Sequence, residues 1–426
     1  MLLEFSISNF KSIGSEVVYS ALSTKDDSHR ETLLSLNKGK DVFANKGILY
    51  GANGSGKSAL FEAVAFLKNQ VVKSAESKPG DGIYVPSHKN LGPKTPSTFA
   101  LQFERNGIRY AYGFSLKDFL VEDEYLYYFP NGRHVRIFER TGDHVILGTK
   151  FKSSLSNALT SLKQNKLFLS VAAVLSKSEE VESAFRFFNE DLIYYSAGNP
   201  LSSDNWFNYS LQQMYEDSSL KQKVLQFMND LGFQIADLEI SQEQGYLDVS
   251  EIPPFLSDEF KAKLLKNTVN KLKANVVYKD FSLDLFSEES SGIKKLFEFL
   301  CPYFYVLENG KVLLCDEIDT YLHEVIVYRL IEYFDRYSKQ SKAQLLSITH
   351  DTNLLDLALF RRDQIWFTEL IPETHETDLF SLAEIKNVRK DANIAKGYLS
   401  GGYGGIPMLR SIYNSNFGSS QESFDE

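Results

Sequence analysis

Gly51-Ala-Asn-Gly-Ser-Gly-Lys-Ser58 fits the pattern G-x-x-x-x-G-K-[S/T] at every position. An apolar run, residues 46–50, leads into it, and residues 58–68 carry apolar side chains at helical spacing. Strand, glycine-rich loop and helix in this order cradle phosphates, because loop N–H groups and the positive end of the helix dipole face the anion. We therefore predict bound ATP, with Lys57 on the β- and γ-phosphates and the Ser58 hydroxyl on Mg²⁺. The predicted nucleotide-binding residues are Asn53, Gly54, Ser55, Gly56, Lys57 and Ser58.

Two adjacent carboxylates, Asp316 and Glu317, follow the apolar run 312–315. At the exposed end of a buried strand, Asp316 is placed to hold Mg²⁺, usually through water. Glu317 is then the natural group to orient and deprotonate the attacking water. The alternative is an acidic pair that closes an ordinary strand, and the P-loop in the same chain favours the catalytic interpretation.

His350 comes at the end of a second apolar run, residues 345–349. Ligands of open α/β sheets gather at the carboxyl ends of the strands, so we predict that this imidazole hydrogen-bonds the γ-phosphate. A structural histidine is the alternative.

A third polar element, Ser291-Gly292, precedes the apolar helix 296–300. Serine and glycine at a helix start expose unpaired N–H groups that can bind a phosphate. A plain N-cap is the alternative, and both interpretations stay open from the residues alone.

Composition excludes several classes of protein. A chain of 426 residues with 43% hydrophobic and 13% aromatic residues is globular, and its net charge of −10 restricts any nucleic-acid contact to a local patch. Two cysteines cannot build a disulfide framework. No apolar run reaches the roughly 18 residues that span a bilayer, so we expect a cytoplasmic protein with no membrane partner.

The pattern of strands and helices predicts an α/β fold with a mixed sheet assembled from both ends of the chain. We expect an N-terminal lobe over residues 1–152 with the P-loop and an antiparallel β-meander, and a mainly helical insertion over 153–285. A C-terminal lobe over 286–413 carries Ser291-Gly292, the carboxylates and His350. Residues 414–426 are polar and acidic, which predicts a flexible tail.

The order of these motifs resembles the ABC-type ATPase heads of the SMC, RecF and OLD group. The resemblance implies a P-loop ATPase head in which Ser291 and Gly292 contact the γ-phosphate bound to the opposite subunit. Two heads would then enclose two ATP molecules, so the implied state is a homodimer or a higher homo-oligomer. The chain lacks sustained heptads, so we expect no long coiled coil.

Five further stretches look like bacterial AAA ATP-binding proteins of phage-defence operons, such as the ATPase subunits of abortive-infection, PARIS and Septu systems. They are NFKSI (9–13), DEIDTYLH (316–323), THDTNLLD (349–356), RRDQIWF (361–367) and YLSGGYGGIP (398–407). The resemblance covers roughly residues 1–150 and 285–410. It implies an ATPase that regulates a separate effector, a nuclease or a toxin, because no Toprim-type acidic cluster follows the ATPase core.

Departures from the related families leave some roles open. The signature reads Ser-Ser-Gly-Ile instead of Leu-Ser-Gly-Gly, and His323 stands where SMC proteins have Asp. Gln102, His88 and Lys89 are equal candidates for the glutamine-loop position. Two other functions also remain: a DNA-repair ATPase of the RecF kind that clamps DNA, and an ATP-dependent scaffold with little turnover.

Overall fold

Two large sheets organise the chain. The computed structural model describes residues 1–36, 41–78, 80–196, 200–246, 268–386, 388–389 and 391–406. The strands are β1 Leu2–Ser8, β2 Val17–Ser20, β3 Leu34–Leu36, β4 Asp41–Phe43, β5 Lys46–Gly51, β6 Ser97–Arg105, β7 Ile108–Lys117, β8 Leu120–Phe129, β9 Val135–Thr141, β10 His144–Leu147, β11 Leu192–Ser196, β12 Asp237–Tyr246, β13 Thr268–Val277, β14 Ser282–Asp284, β15 Val312–Asp316, β16 Gln344–Ile348, β17 Ile365–Leu370 and β18 Thr377–Ser381. The described α-helices are α1 Lys57–Lys73, α2 Ser156–Ser161, α3 Phe168–Leu175, α4 Glu179–Arg186, α5 Pro200–Glu216, α6 Ser218–Asp230, α7 Ser291–Asn309, α8 Glu324–Ser341 and α9 Ile394–Leu399.

The six-stranded sheet has the order β11-β15-β16-β5-β17-β18. Its first five strands are parallel, and β18 pairs antiparallel with β17. The prediction of an α/β fold with a mixed sheet drawn from both ends of the chain is confirmed. Because β5, β15 and β16 are parallel neighbours, the P-loop, the carboxylates and His350 all follow strand ends at one edge of this sheet.

The seven-stranded antiparallel sheet has the order β10-β9-β8-β7-β6-β1-β2. The predicted meander forms its centre, with β6, β7 and β8 joined as consecutive hairpins. Helix α1 packs between the two sheets, touching β1 and β6 on one side and β5 and β15 on the other. The helix after the P-loop is thus held by both sheets.

Successive side chains of the parallel strands point to opposite faces of the sheet, so they pack into two separate hydrophobic cores. In β15, Val312 and Leu314 belong to the core shared with α1 and the antiparallel sheet. Leu313 and Cys315 face the opposite core, which α5 to α8 cover. Parallel strands that are buried on both faces read as continuous apolar runs, which is why these strands are visible in the sequence.

Between residues 153 and 285 the described chain contains α2 to α6 together with four strands. Strand β11 pairs with β15 and joins the main sheet, and β12, β13 and β14 form a separate antiparallel sheet.

Both cysteines, Cys301 and Cys315, are buried and form no disulfide. The predicted tail, residues 414–426, lies outside the described residues. None of the described helices is long and apolar enough to cross a membrane.

Candidate functional site

The P-loop closes tightly between β5 and α1. Gly54 and Gly56 have φ values of 82° and 101°, which side chains with a Cβ rarely adopt. A Cβ on Gly56 would also lie 2.0 Å from the hydroxyl oxygen of Thr377. The predicted glycines are therefore required by backbone geometry as well as by the motif.

Lys57 is buried, and its amine donates hydrogen bonds to the carbonyl oxygens of Gly51 at 2.8 Å and Ala52 at 3.0 Å. Burial lowers the pKa of Lys57, and the nearby carboxylates Asp316, Glu317 and Asp319 oppose that shift. The amine is thus held at the loop mouth by weak acceptors, which a phosphate would replace with stronger ones.

Asp316 and Ser58 form an oxygen pair suited to a magnesium ion. The Ser58 hydroxyl donates to a carboxylate oxygen of Asp316 at 3.3 Å. Burial raises the pKa of Asp316 to about 6, and the Ser58 hydrogen bond opposes the shift. Within the described residues no group of three or more His, Cys, Asp and Glu side chains could hold a metal. One carboxylate and one hydroxyl fit Mg²⁺, which takes most of its ligands from phosphates and water.

Glu317 is presented by a left-handed backbone conformation. Its φ is 56°, unusual for a residue other than glycine, and its carboxylate accepts a hydrogen bond from the Thr320 hydroxyl at 3.1 Å. Asp316 thus stays buried at the strand end, while the next carboxylate is half-buried and open to the edge of the sheet. Strained backbone of this kind is concentrated at functional sites.

His350 lies two residues beyond the end of β16, and β16 runs between β5 and β15. Its backbone N–H donates to a carboxylate oxygen of Asp319 at 3.1 Å. Burial, followed by the charge of Lys57, lowers the pKa of the imidazole, so the ring is neutral at pH 7. The structure therefore brings His350 to the same edge as the P-loop and the carboxylates.

Two residues that support the site were not predicted from the sequence. Asp319 links the loop after β15 to the loop after β16, and its position three residues after Asp316 is the sequence feature that could have marked it. Thr368, on β17, shares a 2.6 Å hydrogen bond with the hydroxyl of Ser55. Its contact with the P-loop spans more than 300 positions of the chain, and no local pattern marks it.

An open cavity of about 1040 Å³ adjoins the P-loop at Gly54. Its other lining residues include Lys11, Ser12, His88, Lys89 and His375. Asn9 holds this arrangement together, because its side chain donates to the carbonyls of Gly92 and Thr95 and accepts from the backbone N–H of His88.

The three candidates for the glutamine-loop position differ in where they lie. His88 and Lys89 line the cavity beside Gly54. The Gln102 amide instead joins Glu4 and Arg109 within the antiparallel sheet.

The Ser291-Gly292 element lies at the start of α7. Ser290 is the N-cap and accepts from the N–H of Ile293 at 3.4 Å, and Ser291 is exposed. A Cβ on Gly292 would lie 3.0 Å from the carbonyl oxygen of Tyr321, so this helix start packs against the loop after β15. Within the described part of the chain, neither Ser291 nor Gly292 is hydrogen-bonded to the P-loop.

His323 caps the next helix. Its Nδ1 accepts from the N–H of Val325 at 3.3 Å, at the start of α8. An Asp side chain at this position could cap the helix in the same way.

Three SMC heads are among the solved structures that resemble this chain, each with limited similarity. One is an SmcHead bound to the C-winged helix domain of ScpA, at 16% identity and a TM-score of 0.41, covering 89% of this chain and 97% of that chain. The SMC head domain from Thermotoga maritima gives 15% and 0.40, with 89% and 98% covered. A Smc head domain with an extended coiled coil, bound to the C-terminal domain of ScpA derived from Pyrococcus furiosus, gives 12% and 0.39, with 89% and 96% covered.

No curated protein sequence matches the chain significantly. A family model does match, over residues 48–356, from the P-loop strand through both carboxylates and His350. The chain therefore belongs to the family described as "AAA domain, putative AbiEii toxin, Type IV TA system".

Proposed function

We propose that this protein binds and hydrolyses ATP with Mg²⁺, and that ATP joins two copies of it into a switch that regulates a separate effector. The observation that carries the ATPase proposal is the Ser58–Asp316 hydrogen bond at 3.3 Å, which puts the metal-binding pair beside buried Lys57. Glu317 and His350 follow neighbouring strand ends of the same sheet.

Each residue has a distinct part in the proposed reaction. Ser58 and Asp316 would hold Mg²⁺, which would supply neutralisation of charge on the ATP phosphates. Lys57 leaves the carbonyls of Gly51 and Ala52 and binds the same phosphates. Glu317 accepts a proton from the attacking water, and the neutral His350 ring donates a hydrogen bond to the γ-phosphate. The cavity beside Gly54 receives the ribose and base.

Self-association is proposed because one element of the site is unused within a single chain. Ser291 is exposed at the start of α7, with helix N–H groups available to an anion. Tyr321 and Val325, on the loop and helix beside it, are 69% and 56% exposed. A second copy that placed its γ-phosphate at Ser291 and Gly292 would cover both apolar side chains.

The effector and the biological setting rest on the family match and on the five stretches that resemble phage-defence ATPases. The proposed setting is the cytoplasm of a bacterium. The effector is a nuclease or toxin on another chain, held or released as the heads close and reopen. ATP binding drives closure, and hydrolysis through Glu317 resets the switch.

The test is the mass in solution of the Glu317→Gln protein with and without ATP and Mg²⁺, beside Lys57→Ala. We expect an ATP-dependent rise in mass that is absent in Lys57→Ala. A Glu317→Gln protein that binds ATP and stays monomeric would contradict head closure. A stable oligomer without nucleotide would favour the scaffold function instead.

A further inference from the structure

Two stacked aromatic rings lie exposed on the antiparallel sheet lobe. The rings of Tyr84 and Phe119 have centroids 6.4 Å apart and planes inclined by 12°. Tyr84 is 74% exposed and Phe119 is 40% exposed. We call this pair the aromatic platform. Large aromatic side chains are normally buried, so an exposed pair with nearly parallel rings is a candidate binding surface.

The platform is built by a strained hairpin tip. Lys117 pairs with Leu120, so Asp118 and Phe119 are the two turn residues, with φ values of 49° and 67°. Such a turn favours glycine or asparagine, and an aromatic residue in the left-handed region is uncommon. Glycine would relieve the strain but would remove the ring from the surface.

The loop that carries Tyr84 is fixed against this tip. The N–H of Ile83 donates to the carbonyl of Phe119 at 2.7 Å. A Cβ on Gly82 would lie 3.0 Å from that of Phe119, so the close approach depends on a glycine. The stack is therefore held by backbone contacts and does not depend on the rings alone.

Three exposed lysines lie on segments that are hydrogen-bonded to the hairpin tip or to its neighbours. Lys94 follows the carbonyl of Pro93, which accepts from the N–H of Asp118 at 3.0 Å. Lys163 precedes Gln164, whose carbonyl accepts from the N–H of Val121 at 3.0 Å.

Lys78 is the third. Its carbonyl accepts from the side chain of Asn165, at 2.8 Å, beside Gln164. None of the three amines forms an ion pair with a described residue.

Basic residues are in excess in one segment beside the platform. Residues 144–178 contain five lysines, Lys163 among them, and no Asp or Glu, in a protein of net charge −10, although Asp143 directly before them accepts from the side chain of Gln164 at 2.6 Å. Asp81, Asp118 and Glu122 lie within three residues of the rings in the sequence. Glu122 is paired with Lys117 at 3.2 Å, and Asp81 accepts from the N–H of Lys78 at 3.0 Å.

We propose that this surface binds single-stranded nucleic acid. Bases stack on Tyr84 and Phe119, and Lys78, Lys94 and Lys163 contact the phosphates. Flat π-faces flanked by amines are the combination that recognises unpaired bases without sequence preference, whereas duplex bases stack on one another and offer no free faces. The loop of Tyr84 continues into residues 86–90, which line the cavity at Gly54, so a bound strand would lie on a segment that also borders the nucleotide site.

The test is fluorescence anisotropy of a labelled oligothymidylate, about 15 nucleotides long, with the full chain. The same measurement with a labelled oligouridylate shows whether the surface prefers DNA or RNA, and an unlabelled DNA duplex serves as competitor. We expect binding that weakens with salt, with the duplex competing poorly. Phe119→Gly and Tyr84→Ala should each weaken binding by about tenfold, and Lys78→Glu with Lys94→Glu and Lys163→Glu by more.

Matched controls are Tyr337→Ala and Lys339→Glu, which change an exposed tyrosine and an exposed lysine on α8. Thermal unfolding confirms that each variant is folded, and Phe119→Gly is the safest because it relieves backbone strain. No binding by the wild type, or equal losses in the controls, would overturn the proposal. So would unchanged oligonucleotide binding in platform variants that lose binding to phosphatidylserine vesicles, since a lipid surface would then be the partner.

Discussion

The two elements that we propose to bind phosphate differ in how completely they are assembled. The P-loop is tied to the rest of the sheet by side chains from three strands or strand ends: Ser55 to Thr368, Ser58 to Asp316, and Gly56 against Thr377. The start of α7 is held by contacts from nearby in the chain, among them its N-cap Ser290 and the hydrogen bond from Lys294 to the carbonyl of Phe286, and by the close approach of Gly292 to Tyr321.

One half of the proposed site is therefore preorganised, whereas the described residues give the other half no partner within the chain. Preorganised groups stabilise a transition state without a reorganisation cost, which suits the P-loop half. An exposed helix start beside exposed Tyr321 suits a surface completed by a second copy. Substitutions in the two halves should therefore have separable effects.

The largest effect is expected for Glu317→Gln. Removing the general base should lower kcat for ATP hydrolysis roughly 100- to 10,000-fold while ATP still binds. Phosphate release measured beside ATP titration checks this. Glu373→Gln, an exposed carboxylate at the same end of the molecule, should retain wild-type turnover. Equal activity in both variants would remove Glu317 from the catalytic role.

Lys57→Ala should weaken ATP binding roughly 10- to 100-fold, because it removes a charge-assisted contact to the phosphates. Lys73→Ala is the matched control, since Lys73 is an exposed lysine at the other end of α1. Titration calorimetry measures both. If the two variants bound ATP alike, the P-loop interpretation of Lys57 would be wrong.

Ser291→Arg tests the other half of the comparison. We expect ATP affinity of the single chain to be retained and the ATP-dependent rise in mass of the Glu317→Gln background to be lost, because a bulky side chain blocks the exposed helix start. Asn309→Arg, at the opposite end of α7, is the control. Persistent association in Ser291→Arg would place the contact elsewhere.

Asp316→Asn should weaken Mg²⁺-dependent hydrolysis yet stabilise the nucleotide-free protein. The pKa of Asp316 is raised from 3.8 to about 6 by burial, so the folded state holds the proton more tightly than the unfolded state. Stability of the wild type should then fall as pH rises from about 4 to about 6. At pH 7 the Asn variant should gain about 3 kcal/mol in free energy of unfolding, which urea unfolding across pH measures. A pH profile unchanged by the substitution would contradict this assignment.

The smallest effect is expected for His323→Ala, which removes the cap of α8 next to the loop that both halves share. A loss of about 1 kcal/mol is typical of an N-cap deletion, and His323→Asp should restore it. Urea unfolding of the wild type, His323→Ala and His323→Asp measures these free energies of unfolding. Equal stability of all three proteins would contradict a capping role for His323.

Much of the fold and the P-loop half was predictable because local patterns carry it. Buried parallel strands read as apolar runs, which located β5, β15 and β16, and the glycine spacing located the P-loop. The meander was equally visible, since β6, β7 and β8 are joined by short hairpins. The supporting residues Asp319 and Thr368 could not be predicted in the same way, because their hydrogen bonds join segments that are distant in the sequence.

Residue type and local spacing are enough to assign side chains to the strand ends: Lys57 and Ser58 after β5, Asp316 and Glu317 at β15, and His350 after β16. Their arrangement depends on contacts between distant segments: β16 lies between β5 and β15, Asp319 accepts from the backbone N–H of His350, and the Gln102 amide bonds within the antiparallel sheet. The physical reason is that residue type and spacing act over a few residues, whereas strand order and side-chain partners are selected by packing across hundreds of positions.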